Sequence, residues 1–270
     1  MNTQEMKSFI LEFQDNDARN YISEDFAKKS VYIGKKLFEN VLCGVATADD
    51  EIIRKLKLNV EANIDVMQPE EWLPGAKTVL SFFLPFSKWI TEENIGGTWP
   101  ADSWMHGRIE GQKFINAAFS ALADEIRAEG HEAIIPTLDP RMKVFMKYAG
   151  YPESKFTCNW SERHTAYAAG LGTFGLSRGI ITEYGMAGRL ISIITTMHVP
   201  PTPRQYTDLL EYCIKCGVCI QNCPPKAITL ENLKNHHLCD EYLVDIREKE
   251  EPYYGCGKCQ CDVPCAYSRP

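Results

Sequence analysis

An α/β (α+β) domain followed by a small cysteine-rich module is the architecture that this 270-residue sequence predicts. Three observations carry that reading. Residues 108–128 repeat Phe114, Ala118, Leu122 and Ile126 at helical spacing, with Gly130 placed to end the helix. Residues 77–86 and 190–197 are short, β-rich apolar runs of the kind that fill buried strands. Nine of the eleven cysteines fall after residue 212.

The remaining elements follow in order. Residues 3–20 place Phe9, Ile10 and Phe13 on one helical face behind a Thr3 cap, and residues 23–33 form a second expected helix. Residues 48–58 read as a third, because Asp49, Asp50 and Glu51 suit the positive end of a helix. Residues 69–75 make a short helical turn closed by Pro74-Gly75. Residues 87–105 are irregular and hold three of the five tryptophans, either lining a site or packed as a cover. Residues 131–136 are an expected strand, 140–151 an expected helix, and 161–169 a serine-capped helix ending at Gly170. Three prolines in residues 199–203 read as a linker, dividing the chain into domains 1–200 and 201–270.

Composition narrows the function. An apolar fraction of 44% supports a proper core. A net charge of −7 without a basic run makes nucleic acid an unlikely partner. The opening Met1-Asn-Thr-Gln-Glu-Met-Lys lacks the apolar core of a signal peptide, and no twin-arginine pair occurs. The apolar run 79–86 is too short to cross a bilayer. The expectation is a cytoplasmic protein, without membrane contact, whose thiols stay free for metal.

Those thiols are patterned. Cys213-Ile-Lys-Cys216-Gly-Val-Cys219-Ile-Gln-Asn-Cys223-Pro224 is C-x2-C-x2-C-x3-C-P, the spacing of bacterial two-cluster ferredoxins. Three cysteines grip one cube and the fourth turns to another. The tail must therefore supply more ligands, and it offers Cys239, Cys256, Cys259, Cys261 and Cys265. Cys261 lies two residues after Cys259, which makes convergence awkward, whereas Cys265 follows Pro264 and has reach. The expected sets are Cys213, Cys216, Cys219 and Cys265 on one 4Fe–4S cluster, and Cys223, Cys239, Cys256 and Cys259 on the other. Zinc sites rarely use this spacing. Cys43 and Cys158 are read as packing cysteines.

Two clusters in series need a terminal acceptor. Ala169-Gly170-Leu171-Gly172-Thr173-Phe174-Gly175 fits G-x-G-x-x-G formally, but a helix-like segment precedes it where a dinucleotide site needs a strand. Its glycines let backbone approach a flat ligand, or merely turn a loop.

Glu162-Arg163, the glycine stretch, the ferredoxin cysteines and Tyr254-Gly-Cys256-Gly-Lys-Cys259-Gln260 occur in one order. That order resembles the cobalamin-dependent iron–sulfur reductases, epoxyqueuosine reductase and the reductive dehalogenases. Pro69-Glu-Glu-Trp-Leu-Pro-Gly-Ala-Lys-Thr-Val79 resembles their early stretch. The resemblance covers residues 65–270. It implies a nitroreductase-like cobalamin-binding domain fused to a two-cluster ferredoxin. It also implies that Gly170, Leu171, Gly172, Thr173, Phe174 and Gly175 wrap a corrin whose cobalt the clusters reduce. A low-potential donor of ferredoxin or flavodoxin type and a small organic substrate follow from it. The departures are equally specific. Epoxyqueuosine reductase carries an aspartate general acid shortly before the Glu-Arg pair, but residues 155–161 hold no carboxylate. Tyr148, Tyr151, Tyr167, His106 and His164 can donate a proton, and none is assigned as the acid. An electron carrier or corrinoid-handling protein without turnover is the competing class, and a flavin is the competing cofactor.

Overall fold

The computed structural model describes residues 1–57, 66–145 and 157–270. Helix α1 (Thr3–Asn16) is capped by Asn2 rather than Thr3. The Asn2 side chain accepts from the N–H groups of Gln4 and Glu5 while Glu5 reaches back, a reciprocal capping box. It stops short of residue 20 because Asp17 turns the chain into a 3-10 turn, Ala18–Asn20. The helix expected over 23–33 is not formed; only Ser30–Tyr32 makes a 3-10 turn. Phe26, Val31 and Ile33 are all exposed, and Tyr32 with Ala27 packs against the main core, so the apolar residues do not share one helical face.

Strand β1 (Leu42–Thr47) was not among the expected elements. Helix α2 (Glu51–Lys57) starts after Asp50, whose carboxylate accepts the Ile52 N–H at 2.9 Å. Helix α3 (Pro69–Trp72) is the expected turn, and β2 (Thr78–Pro85) is buried from end to end but for its proline. The stretch expected to be irregular holds α4 (Lys88–Glu93) and the first turn of α5 (Asp102–Ala128), a 27-residue helix terminated at Gly130 with φ +88°. Next come β3 (Ala133–Ile134), β4 (Val144–Phe145) and β5 (Thr157–Cys158). The helix expected over 140–151 is not formed in residues 140–145, where a turn leads into the strand at 144–145; residues 146–151 lie outside the described residues. Helix α6 (Glu162–Ala168) is followed by β6 (Gly172–Phe174), β7 (Ile180–Thr182) and β8 (Gly188–Thr195). The tail contributes α7 (Val218–Gln221), β9 (Ile228–Thr229), β10 (Leu233–Lys234) and α8 (His236–Glu250).

The central sheet has the order β1-β2-β8-β3 and is antiparallel throughout. Strand alternation sends Leu80, Phe82, Leu84, Ile191 and Ile193 to one face, where Phe114 and Phe119 of α5 meet them in the main core. The other face presents Val79 and Ile194 to Trp160, Ala168 and Ala169 around α6. Helix α6 sits close because Gly44 leaves room: a Cβ there would lie 2.3 Å from the Ala169 carbonyl oxygen. The result is a mixed α/β layer with α1 and α5 on one side and α6 on the other. Past β8 the proline run lies along β1. Thr202 N–H donates to the Val45 carbonyl at 2.9 Å, and Val45 N–H donates to Thr202 Oγ1 at 3.0 Å. The cysteine-rich tail then packs against the β6–β7 hairpin.

Candidate metal centre

The tail approaches the hairpin through its tyrosines. Tyr206 donates from its hydroxyl to the Tyr167 carbonyl at 2.6 Å, and Tyr212 N–H donates to Thr173 Oγ1 at 2.9 Å. These anchors hold the run from Cys213 onward. Lys215 and Gly217 take left-handed backbone (φ +54° and +79°), coiling the chain tightly between Cys213, Cys216 and Cys219. Successive backbone N–H groups in such turns point inward and favour negative sulfur.

Cys213, Cys216, Cys219 and Cys265 line one cavity. Cys265 is held there by the turn before β8, where Met186 N–H donates to the Cys265 carbonyl at 3.0 Å. Cys223, Cys239, Cys256 and Cys259 line a second cavity of about 270 Å³. Cys239 lies in the first turn of α8, which is capped by Asn235. Cys223 Sγ accepts the Ala227 N–H at 3.3 Å. Helix α7 carries Cys219 toward the first cavity and leads directly to Cys223 in the second. Four residues of helix advance only about 6 Å, so the two cavities are neighbours.

Cys261 lines neither cavity. It is 1% exposed, packed in the main core, and its sulfur accepts from Asn94 Nδ2 at 3.5 Å. Cys158 donates to the Trp160 carbonyl at 2.6 Å, and burial raises its thiol pKa; burial also pushes Cys43 up to about 12. Among the described residues, no three His, Cys, Asp or Glu side chains converge on a single-ion position. Each quartet instead surrounds a space, and four soft sulfur donors around a space suit an iron–sulfur cube.

The glycine stretch occupies a different kind of place from an open cradle. Gly170 (φ +83°) and Leu171 are half-buried, whereas Gly172, Thr173, Phe174 and Gly175 are buried in the hairpin. A Cβ on Gly172 would lie 2.0 Å from the Ile181 carbonyl oxygen, so this glycine is needed for hairpin closure. Gly175 borders the first cysteine cavity.

The second cavity has walls that the sequence marked only in part. Trp104 and Arg108 of α5, Arg163 of α6, and Lys234 and Tyr242 face it. Trp104 belongs to the tryptophan-rich stretch and Arg163 to the Glu162-Arg163 pair, whereas Arg108 carries no signal beyond its place at a helix start. Arg163 is surrounded by protein yet open to solvent through the cavity. Its neighbour Glu162 turns the other way. Glu162 Oε1 accepts from Ser192 Oγ at 3.1 Å, its second oxygen is buried without a partner, and burial pushes its carboxyl up to about 7.

The candidate proton donors are mostly committed elsewhere. His106 is fully buried, accepts the Lys28 N–H at Nε2 and sits 2.8 Å from Glu110 through Nδ1. His164 bonds Ser161 Oγ at 2.7 Å, and burial, aided by Arg163 and Arg178, pushes it down to about 4. It is therefore neutral at neutral pH. Tyr167 is packed between Phe174 and Tyr206. Tyr148 and Tyr151 lie outside the described residues.

Residues 208–229 match the 4Fe-4S binding domain family. The tetrachloroethene reductive dehalogenase of Sulfurospirillum multivorans is 35% identical over 88 residues, 32% of this chain and 17% of that protein. The structure of epoxyqueuosine reductase with a tRNA-Tyr epoxyqueuosine-modified stem loop superposes with a TM-score of 0.56 at 17% identity, covering 98% of this chain and 66% of that one. A reductive dehalogenase whose structure suggests a mechanism for B12-dependent dehalogenation gives 0.52 at 14%, covering 95% and 35%. The resemblance to the epoxyqueuosine reductase and reductive dehalogenase family holds at the level of fold. The chain spans only part of each relative's length, from 17% of the curated dehalogenase to 66% of the epoxyqueuosine reductase. No helix among the described residues is long and apolar enough to cross a membrane.

Proposed function

We propose that the chain is an iron–sulfur oxidoreductase that relays electrons through two 4Fe–4S clusters to a bound cobalamin for reduction of a small organic substrate. One observation carries the reading: eight cysteines divide into two quartets around two cavities joined by one helical turn. The clusters supply one-electron transfer and a cobalamin supplies a reducible cobalt. In this reading Cys213, Cys216, Cys219 and Cys265 hold one cluster and Cys223, Cys239, Cys256 and Cys259 the other. Residues 1–200 form a nitroreductase-like cobalamin and substrate domain, and residues 201–270 the ferredoxin-like domain.

The corrin part rests on the B12-dependent relative. Of the glycine stretch, Gly170 and Leu171 remain open enough to flank a ligand; Gly172 to Gly175 act by holding the hairpin beneath it. The proposed partners are a low-potential donor of ferredoxin or flavodoxin type and a small molecule, in the cytoplasm, with neither nucleic acid nor membrane involved.

A second reading has a specific observation in its favour. No carboxylate occurs in residues 155–161, and Glu162 is turned into the protein. A non-catalytic electron-transfer or corrinoid-handling protein needs no proton donor. The test is the absorption spectrum and metal content of protein purified without oxygen. About eight irons with corrin bands are expected. Eight irons without corrin, and no binding of added cobalamin, would leave only the electron-transfer reading. A colourless protein holding zinc would remove both.

A further inference from the structure

The two cavities differ in one property that matters to any negatively charged group inside them. The first, around Cys213, Cys216, Cys219 and Cys265, is walled by apolar side chains such as Leu176, Ile181, Met186 and Val263, with no charged side chain among the described residues that line it. The second is walled by Arg108, Arg163 and Lys234, against a single carboxylate among the described residues, Asp240. None of the three cations makes an ion pair among the described residues. Burial, and next to it the nearby Arg108, disfavours the charge on Arg163. Unpaired cations held together need an anion to justify them.

The hydrogen-bond donors point the same way. Trp104 is 3% exposed, and its indole N–H is buried without an acceptor. The indole lies flat on the turn between Cys256 and Cys259: a Cβ on Gly257 would fall 2.0 Å from Trp104 Cε2, the atom bonded to that nitrogen. Arg108 Nε–H is likewise buried without an acceptor. Buried donors in native structures are almost always satisfied. Cysteine sulfur, or the sulfide of a cluster it holds, is the acceptor at hand.

We propose that Trp104, Arg108 and Arg163 are positioning residues that raise the reduction potential of the cluster held by Cys223, Cys239, Cys256 and Cys259 above that of its neighbour. This rests on the two-cluster reading above. Reduction adds one negative charge to a centre already negative from four thiolates. Nearby cations and N–H···S bonds stabilise the reduced form, and net charge and hydrogen bonding set such potentials. Electrons entering at the first cluster, where Cys216 is exposed, then run downhill toward the second cavity.

The experiment is a redox titration of the anaerobically reconstituted full chain, followed by electron paramagnetic resonance, with iron counted in each sample. Two waves are expected. Arg163→Gln removes a charge but no hydrogen bond, and lowers the upper wave alone by about tenfold in its reduction equilibrium, 59 mV for one electron. Arg163→Lys leaves that wave within about threefold, because the charge remains. Trp104→Phe lowers the same wave by about threefold to fivefold. Arg108→Gln serves as the second charge variant, with the shift expected of Arg163→Gln. Eight irons with an unmoved upper wave, a shift in the lower wave, or equal shifts for Lys and Gln at 163 would overturn the inference and leave the two-cluster reading standing. About four irons in the wild type would overturn both.

Discussion

The α/β layer and the cysteine-rich tail solve the problem of staying folded in opposite ways. The layer buries large apolar side chains: Phe82, Phe114 and Phe119 are each inaccessible to solvent, and α5 alone buries residues along its whole length. The tail has little of this kind. Helix α7 buries no residue, and α8 buries only Asp240 and Ile246. Where the layer packs phenylalanine against leucine, the tail packs Cys213, Cys219, Cys239 and Cys259 against Leu176, Ala227 and Ile228. Hydrophobic burial holds the layer by itself. The tail is expected to depend on what its cysteines bind, because in small metal domains the binding free energy is folding free energy.

That contrast predicts its own largest effect. Removing iron with a chelator without oxygen should strip amide-exchange protection from the run between Cys213 and Cys261, while β2, β8 and α5 keep theirs. The loss for the tail is several kcal/mol, enough to expose it fully. Hydrogen-exchange mass spectrometry reads both regions in one sample. Equal loss in the two regions, or none in the tail, would erase the distinction.

The converse change strikes the layer. Phe119→Ala removes a fully buried ring whose centroid lies 4.8 Å from that of Phe82, tilted by 60°, and should cost about 3–5 kcal/mol. Denaturant unfolding measures it, and iron content near the wild-type value is expected below the transition. A variant that loses iron before the layer unfolds would mean that the tail relies on the layer more than on its ligands.

The same contrast explains what could be read beforehand. The long helix α5 and strands β2 and β8 were legible because periodicity and apolar runs report burial directly. Reach along the chain favours Cys265 over Cys261, and Cys265 is the one that lines the first cavity. Strand β1 was not, because Cys43, Gly44 and Ala46 carry little β signal and the strand is specified by pairing with β2. The segment 23–33 misled because its apolar residues suggested a face that tertiary packing leaves exposed. The walls of the second cavity were hidden for a different reason. Trp104, Arg108, Arg163 and Lys234 come from three separate regions of the chain, and only the fold brings them together.

A smaller effect tests the joint between the two regions. Gly257 takes φ +66° and lies against Trp104, so Gly257→Ala must displace the indole and strain the backbone together. About 2–3 kcal/mol is expected, mostly from overpacking. It should fall on the second cavity, so iron per chain drops toward about four while the first cluster's signal persists. Full retention of both signals would mean that the indole moves freely and the joint is loose.

The smallest effect is a pH dependence belonging to the layer alone. The Glu162 carboxyl is pushed up from 4.5 to about 7, first by burial, against the weaker pull of Ser192. Between those values the native state keeps a proton that the unfolded chain has released. Its contribution is therefore fully present below pH 4.5 and is lost as pH rises through 7. Glu162→Gln keeps an oxygen for the Ser192 hydroxyl and cannot ionise, so it should flatten this slope. By pH 8 the variant should be more stable by about 1–2 kcal/mol, below the ceiling of about 3.4 kcal/mol that about 1.4 kcal/mol per pH unit gives between 4.5 and 7, because its amide leaves a buried donor short of a partner. Urea midpoints at pH 5, 6, 7 and 8 check it, with iron bound and with iron removed. Because Glu162 answers to the sheet and not to the cysteines, the slope should be the same in both states. A slope that vanished with the iron would place Glu162 under the control of the second cavity, beside Arg163, and would couple the two regions through α6.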